Sequence, residues 1–199
     1  DLILNKPLHA IWGFDAQKSP NTSFTIGIDS PEIVRRKIRE AEPYKLLKIK
    51  LGRENDRETV ELIRALTTKP LCVDVNQGWT DRKYALDMIQ WLKEMHVIFV
   101  EQPMPKSALD DIAWLTQHSP LPIIADEAFQ TYSDLAGMKG LYHGINIKLM
   151  KCGGLTPALK IANEAKQHNL RLMVGCMTET SCAVSAASQL APLAEWADR

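Results

Sequence analysis

The sequence has no surplus of either charge: 24 Lys and Arg stand against 24 Asp and Glu in 199 residues. A net charge of zero offers no field to gather nucleic acid or an anionic membrane surface, which argues against both as partners. No apolar run reaches the roughly 18–20 residues that a membrane-spanning helix needs. The four cysteines, Cys72, Cys152, Cys176 and Cys182, form no CxxC pair and have no histidine at metal-ligand spacing. Each lies in or beside an apolar segment, as a small buried hydrophobe does, and a reducing cytoplasm is expected. The opening residues lack the basic stretch and small-residue cleavage site of a secretory signal. A nucleotide-binding glycine loop is also missing: the first candidate strand runs into GIDSPE, which is neither GxGxxG nor a Walker A sequence.

What is present is a repeat of short apolar runs and longer stretches of helical period. The runs are 23–28, 46–51, 71–75, 97–101, 122–127, 145–149 and 171–175. They are brief, β-branched and almost continuously hydrophobic, as strands covered on both faces should be. Between them fall candidate helices at 31–41, 56–67, 82–95, 108–116, 133–139, 155–168 and 182–190, the first three preceded by Ser30, Asn55 and Thr80-Asp81. One residue near the end of each of the first six strands gives Thr25, Lys50, Asp74, Glu101, Asp126 and Lys148, separated by 25, 24, 27, 25 and 22 residues. Alternation of this kind predicts a parallel α/β sheet with right-handed crossovers, and the missing glycine loop favours a TIM-like barrel over an open sheet. Eight units usually take about 250 residues. Seven units in 199 residues therefore predict a fragment, with residues 1–22 as the end of an upstream helix and a linker, 23–199 as an incomplete barrel, and the last strand beyond Arg199.

Charge occurs where a core should be. Lys48 and Lys50 alternate with Leu47, Ile49 and Leu51, so both ammonium groups share one face of the second strand. Asp74 lies inside LCVDV with Asn76 two residues on; Glu101 ends VIFVE, Asp126 ends PIIAD, and Asn146 and Lys148 share a face of INIKL. Taken singly, a lysine at a strand end is a solvated cap, Asp126-Glu127 is a helix cap, and Asp74 is held by the amides of its turn. Five consecutive strands ending Lys, Asp, Glu, Asp, Lys at even spacing are not five accidents, because strand C-terminal ends are where barrels build active sites. Three carboxylates on neighbouring strands make an oxygen cage suited to Mg²⁺, with Mn²⁺ as the second choice, and unsuited to zinc. A divalent ion between two lysines can hold a substrate carboxylate and stabilise the enediolate formed when its α-proton leaves. Lys50 on one side would take a proton and Lys148 on the other would return one, inverting a stereocentre. Lys48, on the same face as Lys50, would help lower its pKa. Glu127 reads as a support for one of the lysines, or equally as a cap.

These residues resemble the enolase superfamily, in its muconate-lactonising subgroup. KIKLG (48–52) is similar to that subgroup's KxK strand, VDVNQGW, VEQP and ADE to its three metal-ligand strands, and INIKLMKCGGL to its sixth-strand segment. The resemblance implies Asp74, Glu101 and Asp126 as Mg²⁺ ligands, with Lys50 and Lys148, not Lys151, as the two bases. Within the subgroup NQGW, NIKLMKCGG and MVGCMTETS look most like dipeptide epimerases. The implied fold is a modified (β/α)7β barrel with a separate capping domain, and the implied substrate a dipeptide. Thr25, Asn76, Cys176, Met177 and Glu179 are then expected at the substrate, with Glu179 as the polar contributor of its segment and Asn146, like Glu127, as a support behind the site. The segment of the last strand that holds the substrate ammonium is expected beyond Arg199, and the capping domain before Asp1. A homo-oligomer is compatible with this composition.

The five histidines fall near strand starts, the wrong end for catalysis, and Gly153-Gly154 reads as a tight turn into a helix rather than a phosphate nest. Cycloisomerases, o-succinylbenzoate synthase-type dehydratases and N-acylamino acid racemases would use the same metal and lysines. A Schiff-base lysine aldolase also uses strand-end lysines but has no need of three carboxylates. A non-catalytic barrel has no need of any of them.

Overall fold

The computed structural model describes residues 3–198. Eight parallel strands follow one another round a single sheet: β1 (Ser23–Ile26), β2 (Leu46–Lys50), β3 (Leu71–Asp74), β4 (Val97–Glu101), β5 (Ile123–Ala125), β6 (Gly144–Ile147), β7 (Arg171–Gly175) and β8 (Trp196–Asp198). A parallel bridge between Thr22 and Ala197 brings the two ends of the sheet together, so the barrel is nearly closed. The helices are α1 (Leu8–Ile11), α2 (Pro31–Glu40), α3 (Asp56–Leu66), α4 (Arg82–Glu94), α5 (Leu109–His118), α6 (Leu135–Met138), α7 (Leu149–Cys152), α8 (Leu155–Gln167) and α9 (Ser181–Ser188).

Two expectations need correction. The eighth strand does not lie wholly beyond Arg199: Trp196, Ala197 and Asp198 pair with Met173, Val174 and Gly175 of β7. Three residues are too short a run to show a pattern, and the 3-10 turn Ala191–Leu193 hides the approach. The helix expected at 133–139 is a 3-10 turn (Tyr132–Asp134) followed by the single turn of α6. The extra turn α7 was not anticipated, because four residues carry no readable period.

Period-two alternation sorts each strand into an outward and an inward row. Outward residues such as Leu47, Ile49, Val73, Val100, Ile145, Leu172 and Val174 join the large apolar layer between sheet and helices. Inward residues divide by height. Leu46, Cys72, Phe99, Ile124 and Met173 form a small second core, with Trp196 packed against it and its ring 4.6 Å from that of Phe99. This apolar plug fills the lower barrel. The next inward positions along the same strands, Lys48, Asp74, Glu101 and Asp198, therefore form a charged layer directly above it.

Helix starts follow local chemistry. Ser30 accepts from Ile33 N ahead of Pro31, and Asp81 accepts from Lys83 N and Tyr84 N. Asn55 precedes α3 but makes no side-chain cap; Asp56 instead turns back to accept from Gly52 N, Arg53 N and Trp79 Nε1. That buried carboxylate ties the loop after β2 to the loop after β3. Gly52 (φ +103°) fits there because a Cβ would stand 2.6 Å from Val75 O.

Candidate active site

The charged layer centres on Lys48. Its ammonium, 2% exposed as a residue, lies 3.0 Å from Asp74 Oδ2, 2.7 Å from Glu101 Oε2 and 2.8 Å from Asp198 Oδ2. Burial alone would push its pKa down, but the carboxylates of Glu101, Asp74 and Asp198 reverse this and hold it well above the ordinary lysine value. Asp198 also accepts from Ser23 Oγ at 2.6 Å and from Thr25 Oγ1 at 3.4 Å, which ties the two ends of the sheet together. For Asp198 burial works upward, and Lys48 and the Ser23 hydroxyl bring the carboxyl below the usual range.

Lys50 donates to Asp74 Oδ2 at 2.7 Å and to Asn76 Oδ1 at 2.9 Å. The Asn76 amide donates onward to Glu127 Oε1 at 3.0 Å, so Glu127 supports Lys50 through one intermediary. On the other side Lys148, the residue after β6, donates to Asp126 Oδ2 at 2.8 Å. Lys151 contacts Asp126 Oδ1 at 2.5 Å and its backbone carbonyl at 2.8 Å. Burial would lower the Lys148 pKa; pairing with Asp126 overcomes it, so Lys148 stays charged. Asp74 and Asp126 are both lifted by burial and brought below the ordinary carboxylate range by their lysines.

Glu101 is the exception. It is fully buried, and desolvation outweighs the attraction of Lys48, so with Asp74 and Asp126 nearby its pKa is pushed up to about 7. Asn146 Nδ2 donates to Glu101 Oε1 at 2.7 Å, while Oε2 faces the Lys48 ammonium. Asn146 reaches this position because β7 ends in Gly175, where a Cβ would stand 2.6 Å from Asn146 Oδ1.

Carboxylate oxygens of Asp74, Glu101 and Asp126 lie within 4.8 Å of one another. Oxygens bound to one Mg²⁺ at about 2.1 Å are at most about 4.2 Å apart, so small side-chain turns bring the trio onto one ion. The donor set is oxygen only, and its most buried member, Glu101, meets a single ammonium, that of Lys48, at Oε2. An all-oxygen set fits Mg²⁺ or Mn²⁺ and not zinc.

Above the trio, a cavity of about 460 Å³ is lined by both Lys50 and Lys148, with Asn76, Asp126, Glu127 and Lys151 beside them and Cys176, Met177 and Thr178 on the far wall. A neighbouring cavity of about 310 Å³ is lined by Ser23, Thr25, Tyr44, Cys176 and Asp198, with Cys176 common to both. Glu179 lines neither: its Oε1 accepts from Met177 N, and Thr178 occupies the wall instead. Trp79 is buried over Asp56, away from both cavities. Asp198 and Ser23 escaped notice in the sequence, although Asp198 follows Gly175 by 23 residues, close to the spacing of the other strand ends. The contact of Lys151 with Asp126 has no signature in the sequence.

The family model described as "Enolase C-terminal domain-like" matches residues 32–197, and the chain belongs to that family. The L-Ala-D/L-Glu epimerase of Bacteroides thetaiotaomicron is 56% identical over 197 residues, which is 98% of this chain and 51% of that protein. Among solved structures, a substrate-liganded complex of the L-Ala-D/L-Glu epimerase from Bacillus subtilis superposes with a TM-score of 0.89 at 29% identity, covering 99% of this chain and 58% of that one. The dipeptide epimerase of Enterococcus faecalis V583, complexed with Mg and the dipeptide L-Leu-L-Tyr, gives 0.87 at 34% identity, covering 96% and 57%. The chain thus spans about half the length of the curated relatives it matches.

Replacing Asp126 with Asn removes one anionic ligand from the trio and should weaken Mg²⁺ binding on the order of tenfold or more while the thermal transition persists. Titration calorimetry checks this, and unchanged affinity would remove Asp126 from the ligand set. Mg²⁺ binding should also depend on pH. With Glu101 near 7, protons compete for it below that value, so affinity should fall as pH drops from 7 towards 5.5 and level off above. Calorimetry in buffers of different ionisation enthalpy would show protons released on binding at pH 6, and an affinity constant across this range would contradict the assignment.

Proposed function

We propose that the protein is a Mg²⁺-dependent epimerase that inverts the α-carbon of a dipeptide by proton transfer between Lys50 and Lys148. The observation that carries this reading is that both lysines line one cavity, at the ends of strands on opposite sides of the carboxylate trio. A cavity of about 460 Å³ falls within the ordinary range for small ligands. The names of the relatives bring the dipeptide, and an L-Ala-D/L-Glu type of substrate is the first choice.

Asp74, Glu101 and Asp126 would hold the ion. When bound, it supplies positive charge against the negative charge that develops on the substrate carboxylate as the α-proton leaves. One lysine removes that proton and the other delivers a proton to the opposite face, so the configuration inverts. Lys148, beside Asp126, would be the donor when Lys50 is the base. Asp74 and Asn76 aim Lys50, and Glu127 fixes Asn76. Thr25, Cys176, Met177 and Asp198 line the space left for the rest of the substrate, and Asp198 is a carboxylate in position for a substrate ammonium. Glu179 would act through the conformation of its own loop. The names of the most similar relatives, all epimerases, favour epimerisation over the cycloisomerase and dehydratase variants. An N-acetyl-D-glutamate racemase at 34% identity keeps N-acylamino acid racemisation as the second reading, and the carboxylate trio sets aside a Schiff-base aldolase.

All four cysteines are free, as suits a reducing cytoplasm. No described helix is long and apolar enough to cross a membrane. The partner is a small molecule rather than nucleic acid, and a second copy of the protein is compatible with the net charge of zero.

Lys50→Ala and Lys148→Ala should each reduce epimerisation by at least on the order of 100-fold. In D₂O each should retain exchange of the α-proton on only one enantiomer of the C-terminal residue, and on opposite enantiomers. NMR of the exchanged dipeptides checks this, and full turnover by either variant would refute the two-base assignment.

A further inference from the structure

Gln102 follows Glu101 directly and is fully buried, yet its backbone sits at φ +37°, in the left-handed region that few residues other than glycine adopt. An unfavourable backbone held in a closed site points to a constraint. Its side-chain amide uses all its capacity. Oε1 accepts from Asp126 N and Ala128 N, both at 3.0 Å, and Nε2 donates to Met104 O at 3.0 Å and Tyr142 Oη at 2.9 Å. Turning the amide over would set its donors against two backbone N–H groups, so its orientation is forced. The backbone of Gln102 completes the junction: its N–H donates to Ile124 O at 2.9 Å, and its carbonyl accepts from Gln77 N at 2.8 Å.

Each carboxylate of the trio is thereby referred to this one residue. Glu101 is its neighbour in sequence, Asp126 has its backbone N–H clamped by the side chain, and the loop after Asp74 is fastened through Gln77. We propose that Gln102 is a positioning residue that fixes the three carboxylate-bearing strand ends at the spacing a small, rigidly octahedral cation requires. The inference rests on reading the trio as a Mg²⁺ site. Gln102 touches neither ion nor substrate, and acts by denying the β5 end the freedom to drift from β3 and β4. Mg²⁺ tolerates little departure from octahedral geometry, whereas Ca²⁺ accepts larger and more irregular oxygen cages. Loosening the junction should therefore cost Mg²⁺ more than Ca²⁺, a difference that loss of overall stability alone would not produce.

The test is calorimetric titration of the protein, Gln102→Leu, Tyr142→Phe and Asp126→Asn with MgCl₂ and with CaCl₂, alongside circular dichroism and thermal unfolding. Gln102→Leu should weaken Mg²⁺ on the order of 10–100-fold and lower the ratio of Mg²⁺ to Ca²⁺ affinity. Tyr142→Phe, which frees only the far end of the amide, should shift the ratio the same way by a smaller factor. If Gln102→Leu does not fold, the ratio in Tyr142→Phe decides, and an unchanged ratio there overturns the proposal. Loss of Mg²⁺ binding in Asp126→Asn with wild-type affinity and ratio in Gln102→Leu would overturn the positioning role and leave the metal site standing. Wild-type binding by Asp126→Asn would overturn the site and this inference with it.

Discussion

A single buried ammonium, that of Lys48, lies within 3.0 Å of carboxylates from β3, β4 and β8, and the mouth of the barrel depends on it. Removing a charge from water is costly unless partners replace the lost hydration, and deleting one member of a buried array costs about 3–5 kcal/mol. The array sits on an apolar plug of Leu46, Cys72, Phe99, Ile124 and Met173, which gives it a floor and closes the barrel from below. Lys48 therefore spaces the strand ends as well as balancing their charge. Glu101, fully buried, is the partner whose pKa burial pushes up, to about 7.

Around this centre the parts separate by height and side. The lower inward residues pack; the middle layer holds charge; the upper residues, Lys50 and Lys148, line the cavity. The lysines are paired with different carboxylates, Asp74 and Asp126, at opposite sides of the trio. A cation taken up by the trio would compete with both lysines for those carboxylates, so ion binding and release of the bases are linked by the same oxygens. Supports lie behind: Asn146 against Glu101 with Gly175 making room for it, Asn76 and Glu127 behind Lys50, and Gln102 between the ligand-bearing strands.

Much of this was legible because period two is strict. LLKIKL cannot place Leu47 and Ile49 in the outer core without turning Lys48 and Lys50 inward, and the even spacing of Lys50, Asp74, Glu101 and Asp126 put them at one end of a parallel barrel. What was hidden lacked a pattern. Trp196–Asp198 is too short to show alternation, so Asp198 and its bond to Ser23 went unseen. Gln102 acts through backbone partners that are far away in sequence, and nothing in the letters EQP distinguishes a clamp from a loop. Glu179 looked like the polar group of its segment, but its carboxylate caps Met177 N, a local bond that only the turn geometry reveals.

The most direct test of the account is to incubate the protein with Mg²⁺ and small L,L-dipeptides in D₂O and follow mass gain together with optical inversion. Deuterium should appear at the α-carbon of the C-terminal residue, with inversion at the same carbon and loss of both with EDTA. Uptake that persists in EDTA, or no uptake across L-Ala-L-Glu and other small dipeptides, would contradict it.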